Sequence, residues 1–221
     1  VDARWYPFEE ANYLQMWNGN LKTATYARES GIGVRVLYKG AWGFSASSDL
    51  GNLPAIFEKA FDNARIAAER VTFPVRLAEK DAIQAQFSSP SRVNPFSIPL
   101  SDKVAFLSEM DKRLNQEGVF QRLVTLYFIR KQIVFMDSEG SQIEKNITEV
   151  FGGLDVTGVD AQSATHERSF VLDRQGDTRG WESVDKEHFA ANADRIVQEL
   201  NQILVAEECP KDNRAVILLP G

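Results

Sequence analysis

One cysteine and two histidines are all that 221 residues offer as soft or borderline metal ligands. A lone Cys209 excludes an intrachain disulfide and points to a reducing compartment, here read as the cytoplasm. The two histidines complete no zinc motif. After His166-Glu167, HExxH needs a histidine where Phe170 stands, and HExxxH needs one where Val171 stands. Successive residues of a strand also point to opposite faces, so His166 and Glu167 could not share a metal there. His166 reads as a hydrogen-bonded strand histidine and His188 as a surface residue at the start of a helix. There is no G-x-S-x-G, and Cys209 precedes a proline, as a small apolar residue near a helix end does. No catalytic residue, metal ligand or cofactor site is expected within this chain.

Other absences narrow the class further. No apolar run approaches the ~20 residues that span a bilayer, so no membrane partner is expected. The net charge is −6, with no basic stripe, and direct nucleic-acid contact is disfavoured because phosphate neutralisation supplies most of that affinity. Asn146-Ile147-Thr148 matches a glycosylation acceptor, a chance match in a cytosolic chain.

Hydrophobic residues make up 43% of the chain and charged residues 25%, which suffices for a core. Asn18-Gly19 between YLQMW and LKTATYAR is a hairpin signal, because both central residues of a type I′ turn need positive φ. An antiparallel meander is expected from Asn12 to Ala46, with further turns at Glu29-Ser30-Gly31 and Lys39-Gly40. Ile32, Val34, Val36 and Tyr38 share one strand face; Trp42, Phe44 and Ala46 share another. A helix follows, with Leu53, Ile56, Phe57, Ala60, Phe61, Ala64 and Ala68 at helical spacing. Residues 72–100 read as an irregular crossing with one strand. A second helix, capped by Ser101, carries Phe106, Leu107, Met110 and Leu114. LVTLYFI predicts a central strand, QIVFM and SQIEKNITEVF a hairpin, and Gly152-Gly153 a break before strands near Leu154–Asp160 and Thr165–Leu172. A helix over Asp185–Glu207 and a closing strand AVILLPG complete an α+β fold: antiparallel or mixed sheets, from the meander and a second strand-rich stretch, packed with about three helices.

The glycines of ESGIGVRVLYKGAWGF do not cradle a phosphate. In G-x-G-x-x-G the third glycine after Gly31 and Gly33 would stand where Val36 does, and the run leads into a strand instead of a helix. Gly31 and Gly40 read as turn residues, Gly33 and Gly43 as strand residues.

GVRVLYKGAWGFSASSDL, the preceding YLQMWNGNLKTATYARESGIG, and later GDTRGWE and CPKDNRAVILLPG together resemble the amino-terminal domain of the TldD/PmbA metallopeptidases, also labelled modulators of DNA gyrase. Asn18, Gly19, Gly31, Gly33, Arg35, Gly40, Trp42, Gly43, Phe44 and Asp49 carry the signature as structural residues. The resemblance implies a non-catalytic amino-terminal domain over residues 1–221, in a cytoplasmic peptide-processing protein. The chain begins and ends in strand-like text, and its HExxxH helix, with zinc, is expected in a carboxy-terminal domain beyond it. It also implies three partners: that catalytic domain, a TldD/PmbA-type subunit in a homo- or hetero-oligomer, and a peptide substrate. Two alternatives accompany this reading, a domain of a metal-free partner subunit and a stand-alone module acting on gyrase.

Overall fold

Two dipeptides set the first three strands. Asn18 and Gly19 adopt φ of 45° and 78°, and Lys39 and Gly40 adopt 47° and 80°, as type I′ turns require. They join β1 (Asp2–Trp17) to β2 (Asn20–Tyr38) and β2 to β3 (Ala41–Ser47). The structure is a computed structural model describing residues 1–207, 215 and 217, with the backbone alone at 173–175. Cys209 and most of the expected strand AVILLPG lie outside the described residues.

The meander starts at Asp2, well before Asn12, and the turn expected at Glu29-Ser30-Gly31 does not form: β2 runs through it, with Gly31 opposite Tyr6. The chain bends here without reversing. β1 carries an extra residue between Tyr6 and Glu9 opposite β2, and between Trp5 and Phe8 opposite its other neighbour, β5 (Gln121–Asp137). Such a bulge kinks a strand and shifts its alternation by one. Ala3 and then Glu10, Asn12, Leu14 and Met16 consequently bury on the same side.

Both strand-rich stretches join in one seven-stranded sheet of order β3-β2-β1-β5-β6-β4, with β7 also on β6. β5 is central, as its apolar run predicts. β6 (Gln142–Val159) takes β4 (Gln84–Ser88) in parallel along its first part and β7 (Thr165–Asp177) antiparallel along the rest. β6 passes unbroken through Gly152-Gly153. A Cβ on Gly152 would lie 2.7 Å from Cζ of Phe189, so this glycine makes room for a helix and does not end a strand.

α2 (Leu100–Leu114) and α3 (Lys186–Leu204) pack Phe106, Leu107, Met110, Leu114, Phe189, Ile196 and Leu200 onto Leu14, Leu126, Phe128 and Leu154. Pro99, not Ser101, is the N-cap of α2, and no side chain bonds there. α1 (Leu53–Ala68) packs only Ile56, Ala60 and Ala64 onto Ala3, Ile32, Val34 and Val36. Leu53, Phe57 and Phe61, expected in the same stripe, are exposed, although Phe61 meets the edge of Tyr38 at 5.3 Å. With the β1 bulge counted, the registers place all three helices on one sheet face. Trp42 and Phe44 do share a face, but it is the other, helix-free one, and both are exposed. α1 lies against Gly43 instead, where a Cβ would collide with its backbone. No described helix is long and apolar enough to cross a membrane.

Among the described residues five carboxylates are held below their ordinary range: Asp137 by the Lys80 ammonium and the Ser141 and Glu139 N–H groups, Asp160 by His166, Asp177 by Arg179, Asp194 by Arg113, and Glu182. At Glu182 burial opposes ionisation, and the N–H groups of Arg92 and Val93, at 2.8 and 2.9 Å, outweigh it. Asp155 runs the other way, raised by burial and by Glu167. A lowered carboxylate stabilises the fold above its unfolded pKa, and that contribution is lost as pH falls through the folded value. The urea midpoint should therefore hold between pH 7 and about 5 and fall steadily below about pH 4. An unchanged midpoint at pH 3 would contradict these assignments.

Candidate functional site

The buried stripe of α2 contains two charges. Lys103 and Asp111 stand in phase with Phe106, Leu107, Met110 and Leu114, and they are 4% and 3% exposed. On β1, Glu10 and Asn12 occupy the same phase as Leu14 and Met16 and are also buried. Buried charge demands compensation, and the partners come from distant parts of the chain.

Asp111 Oδ1 lies 3.0 Å from Arg122 Nε and accepts the Gly19 N–H at 2.9 Å. Asn18 completes the clamp: its N–H donates to the Arg122 carbonyl at 3.1 Å, and its Oδ1 accepts the Arg122 N–H at 2.9 Å. The Asn18-Gly19 turn is thus docked onto the start of β5 and the flank of α2. Glu10 lies 2.8 Å from Arg130 Nε and accepts the Tyr26 hydroxyl at 2.9 Å, a bond that raises the tyrosine pKa. Both arginine Nε atoms are close to their carboxylates yet lack hydrogen-bond alignment. Coulombic attraction depends on the distance, so they count as ion pairs without a directed bond at that nitrogen.

Lys103 has no such carboxylate among the described residues. Its Nζ donates to Asn12 Oδ1 at 2.7 Å, and it lies 4.8 and 5.7 Å from the ring centroids of Phe128 and Phe96. Asn12 in turn donates from Nδ2 to the Thr25 carbonyl of β2 at 2.8 Å. Burial pushes the Lys103 pKa down. Lys103, Asn12 and Glu10 form the floor of a cleft of about 330 Å³ walled by Tyr26, Phe96 and Leu100. Tyr26 and Phe96 meet edge to face, their centroids 6.2 Å apart. Beside the cleft runs a free strand edge. β3 pairs only with Ile32–Tyr38 of β2, and the stretch Asn20–Gly31 pairs with β1 alone among the described strands. From Ala24 to Ser30 every residue is exposed.

The signature residues fall into three groups. Asn18 and Gly19 reach the Asp111–Arg122 pair. Gly33, Arg35, Trp42 and Phe44 gather on the helix-free face: Arg35 pairs with Asp2 through two bonds of 3.0 and 2.8 Å and lies 5.1 Å from the Trp42 ring, while the Phe44 ring covers Gly33. Gly31 faces Tyr6, Gly40 turns against Pro74, Gly43 backs onto α1, and Asp49 accepts the Gly51 N–H at 2.9 Å. None of these lines the Lys103 cleft. Lys103, Asn12, Glu10 and Tyr26 were missed by motif reading, yet a usable signal existed: a charge or amide in apolar phase.

His166 lies on β7 with Nε2 at 2.7 Å from Asp160, and exposed His188 sits against the Phe170 ring. Among the described residues no three His, Cys, Asp or Glu side chains converge as a metal site.

The helix-free face carries its own pattern. Tyr13, Tyr127 and Phe151 form an aromatic row across β1, β5 and β6, with centroids 5.8 Å apart at each step. Beyond it, Arg4, Tyr6, Ile133, Phe135, Ile143 and Lys145 surround a shallow cavity of about 340 Å³.

Comparison with known proteins follows this architecture. Residues 9–67 match the family model for PmbA/TldA metallopeptidase domain 1, and residues 93–208 match that for the central domain. A metalloprotease of Methanocaldococcus jannaschii is 25% identical over 215 residues, covering 96% of this chain and 46% of its own length. The crystal structure of a candidate DNA-gyrase modulator from Thermotoga maritima superposes with a TM-score of 0.70 at 16% identity, over 95% of this chain and 46% of that one. TldE from Thermococcus kodakarensis gives 0.57 at 12% identity, over 90% and 44%. These two structures share the fold; the chain spans about half the length of the curated relatives it matches. With two consecutive domain models matched across most of its residues, the chain belongs to the PmbA/TldA metallopeptidase family.

Proposed function

We propose that this chain forms cleft wall and subunit interface in an intracellular zinc-dependent peptidase that processes peptides, the chemistry residing outside these residues. The observation that carries the interface role is the helix-free sheet face. A row of three aromatic rings and the neighbouring Ile133, Phe135 and Ile143 lie on a sheet side that no described helix covers. Aromatic and apolar side chains grouped on an uncovered sheet face, here in two clusters parted by the Lys131–Glu149 ion pair, mark an interaction site, and aromatic residues are enriched in interface cores. Support for the peptidase role comes from the matched family models and the metalloprotease relatives.

The test compares the whole protein with the 221-residue chain. The whole protein should hydrolyse unstructured peptides with zinc bound and lose that activity to a chelator, while the isolated chain hydrolyses none. Hydrolysis by the isolated chain with stoichiometric zinc would overturn the assignment. A whole protein that binds no zinc, yet associates with a zinc-bearing family subunit, would instead identify the metal-free partner. The gyrase reading draws only on the names of structural neighbours whose likeness speaks for the fold.

A further inference from the structure

The free edge of β2 and the Lys103 cleft adjoin, and together they have the form of a peptide site. A strand edge presents unpaired N–H and C=O groups that an extended chain of any sequence can match, and alternate side chains of the added strand then turn toward the two sheet faces. Natural proteins cover such edges or blunt them with prolines and short strands. Here the edge runs from Asn20 to Gly31 with no proline, and among the described strands only β1 pairs with it.

On the helix side of that edge lies a charge in search of a counter-charge. Lys103 is 4% exposed, has no carboxylate bonded to it among the described residues, and spends one hydrogen bond on Asn12. Its ammonium carries three donors, of which one is spent on Asn12. Glu10, the acidic member of the lining, is already engaged by Arg130 and Tyr26. The cleft therefore presents one buried positive charge held by an amide and two ring faces, with no carboxylate bonded to it among the described residues. The Lys103–Asn12–Thr25 chain of bonds ties that charge to the strand whose edge is free.

We infer that β2 accepts an extended peptide as an eighth strand along Asn20–Gly31, and that an acidic side chain of this peptide enters the cleft to meet Lys103. The inference rests on the peptide-processing reading and names the substrate feature recognised away from the chemistry. The occupant is an internal Glu or Asp of an unfolded segment. Its carboxylate gains a charge-assisted bond in a partly desolvated site, and its backbone gains the ladder.

Binding, read without cleavage, tests this. The whole protein, freed of zinc by chelator, is titrated with the fluorescein-labelled peptide Thr-Val-Thr-Glu-Thr-Val-Thr, with its Gln counterpart, and with a Glu peptide N-methylated at alternate residues. The Glu peptide should bind about tenfold more tightly than the Gln peptide, as one charge-assisted bond predicts. The N-methylated peptide should lose most of its affinity. Lys103→Met should abolish the Glu preference, bringing the Glu peptide to the affinity of the Gln peptide or below it, while methionine packs against Phe96 and Phe128 as the lysine stem does. Amide exchange should slow within residues 20–31 on binding. Equal binding of Glu and Gln peptides, a preference that survives Lys103→Met, undiminished binding of the N-methylated peptide, or protection confined elsewhere would each overturn the proposal. An inactive protein that still passes this test removes the peptidase reading and leaves the site; an active one that fails it does the reverse.

Discussion

Gly43→Ala is expected to destabilise the fold by about 3 kcal/mol, at the upper end of what overpacking a close contact costs. An added Cβ would lie 2.1 Å from the Ala60 carbonyl oxygen, 2.2 Å from the Ala64 nitrogen and 2.8 Å from its Cα. All three are helix backbone atoms, so no rotamer change relieves the clash. α1 must rise from the sheet, and its only buried residues, Ile56, Ala60 and Ala64, lose their contact with Ile32, Val34 and Val36. For a chain of this size, 3 kcal/mol corresponds to roughly 6–12 °C in Tm. Gly33→Ala is the control. It sits in the adjacent strand, but its Cβ would meet only the exposed Phe44 ring, at 3.3 Å, and a ring can shift. Its change should stay below about 1 kcal/mol. Similar losses in the two variants, measured by urea unfolding, would show that strand glycines matter for conformational freedom and not for helix approach.

Asp111→Ala is expected to cost about 3–5 kcal/mol, because it leaves Arg122 buried without its counter-charge. The carboxylate is 4% exposed and the guanidinium 14%, so water replaces little of the lost interaction. The same substitution removes the acceptor of the Gly19 N–H and loosens the turn that Asn18 ties to Arg122. The apolar pair Asp111→Leu with Arg122→Met should recover most of the loss, since buried ion pairs exchange for packed hydrophobic residues at little net cost. A single variant within about 1 kcal/mol of wild type would place this pair with surface salt bridges. A double variant no more stable than Asp111→Ala would instead show that the turn contacts, and not the ion pair, hold this corner of the fold.

Much of the fold was legible because its causes are local. Type I′ turns need positive φ at two adjacent residues, and Asn18-Gly19 and Lys39-Gly40 supply it wherever the strands go. The stripes of α2 and α3 were readable from spacing, and the buried residues follow them. Reading failed where one residue type serves two purposes. Gly31 and Gly152 looked like breaks, yet one lies opposite a bulge in β1 and the other gives Phe189 room. Both partners are far away in sequence. Alternation in WGFSA revealed a shared face but carried no sign, and only α1, seated on Gly43, made the Trp42 face the open one.

The candidate cleft shows the same division. That Lys103, Asp111, Glu10 and Asn12 stand in apolar phase is written in the chain, since periodicity alone brings them inward. The sequence by itself thus determined the Asn18-Gly19 and Lys39-Gly40 turns, the inward faces of α2 and α3 and the family signature. Tertiary structure alone decided which of the buried charges found partners. Arg122 reaches Asp111 and Arg130 reaches Glu10 because β5 lies beside β1 and beneath α2, while Lys103 is left with an amide and two rings. Compensation of a buried charge depends on distance, and distance between segments some ninety residues apart exists only once the sheet has assembled.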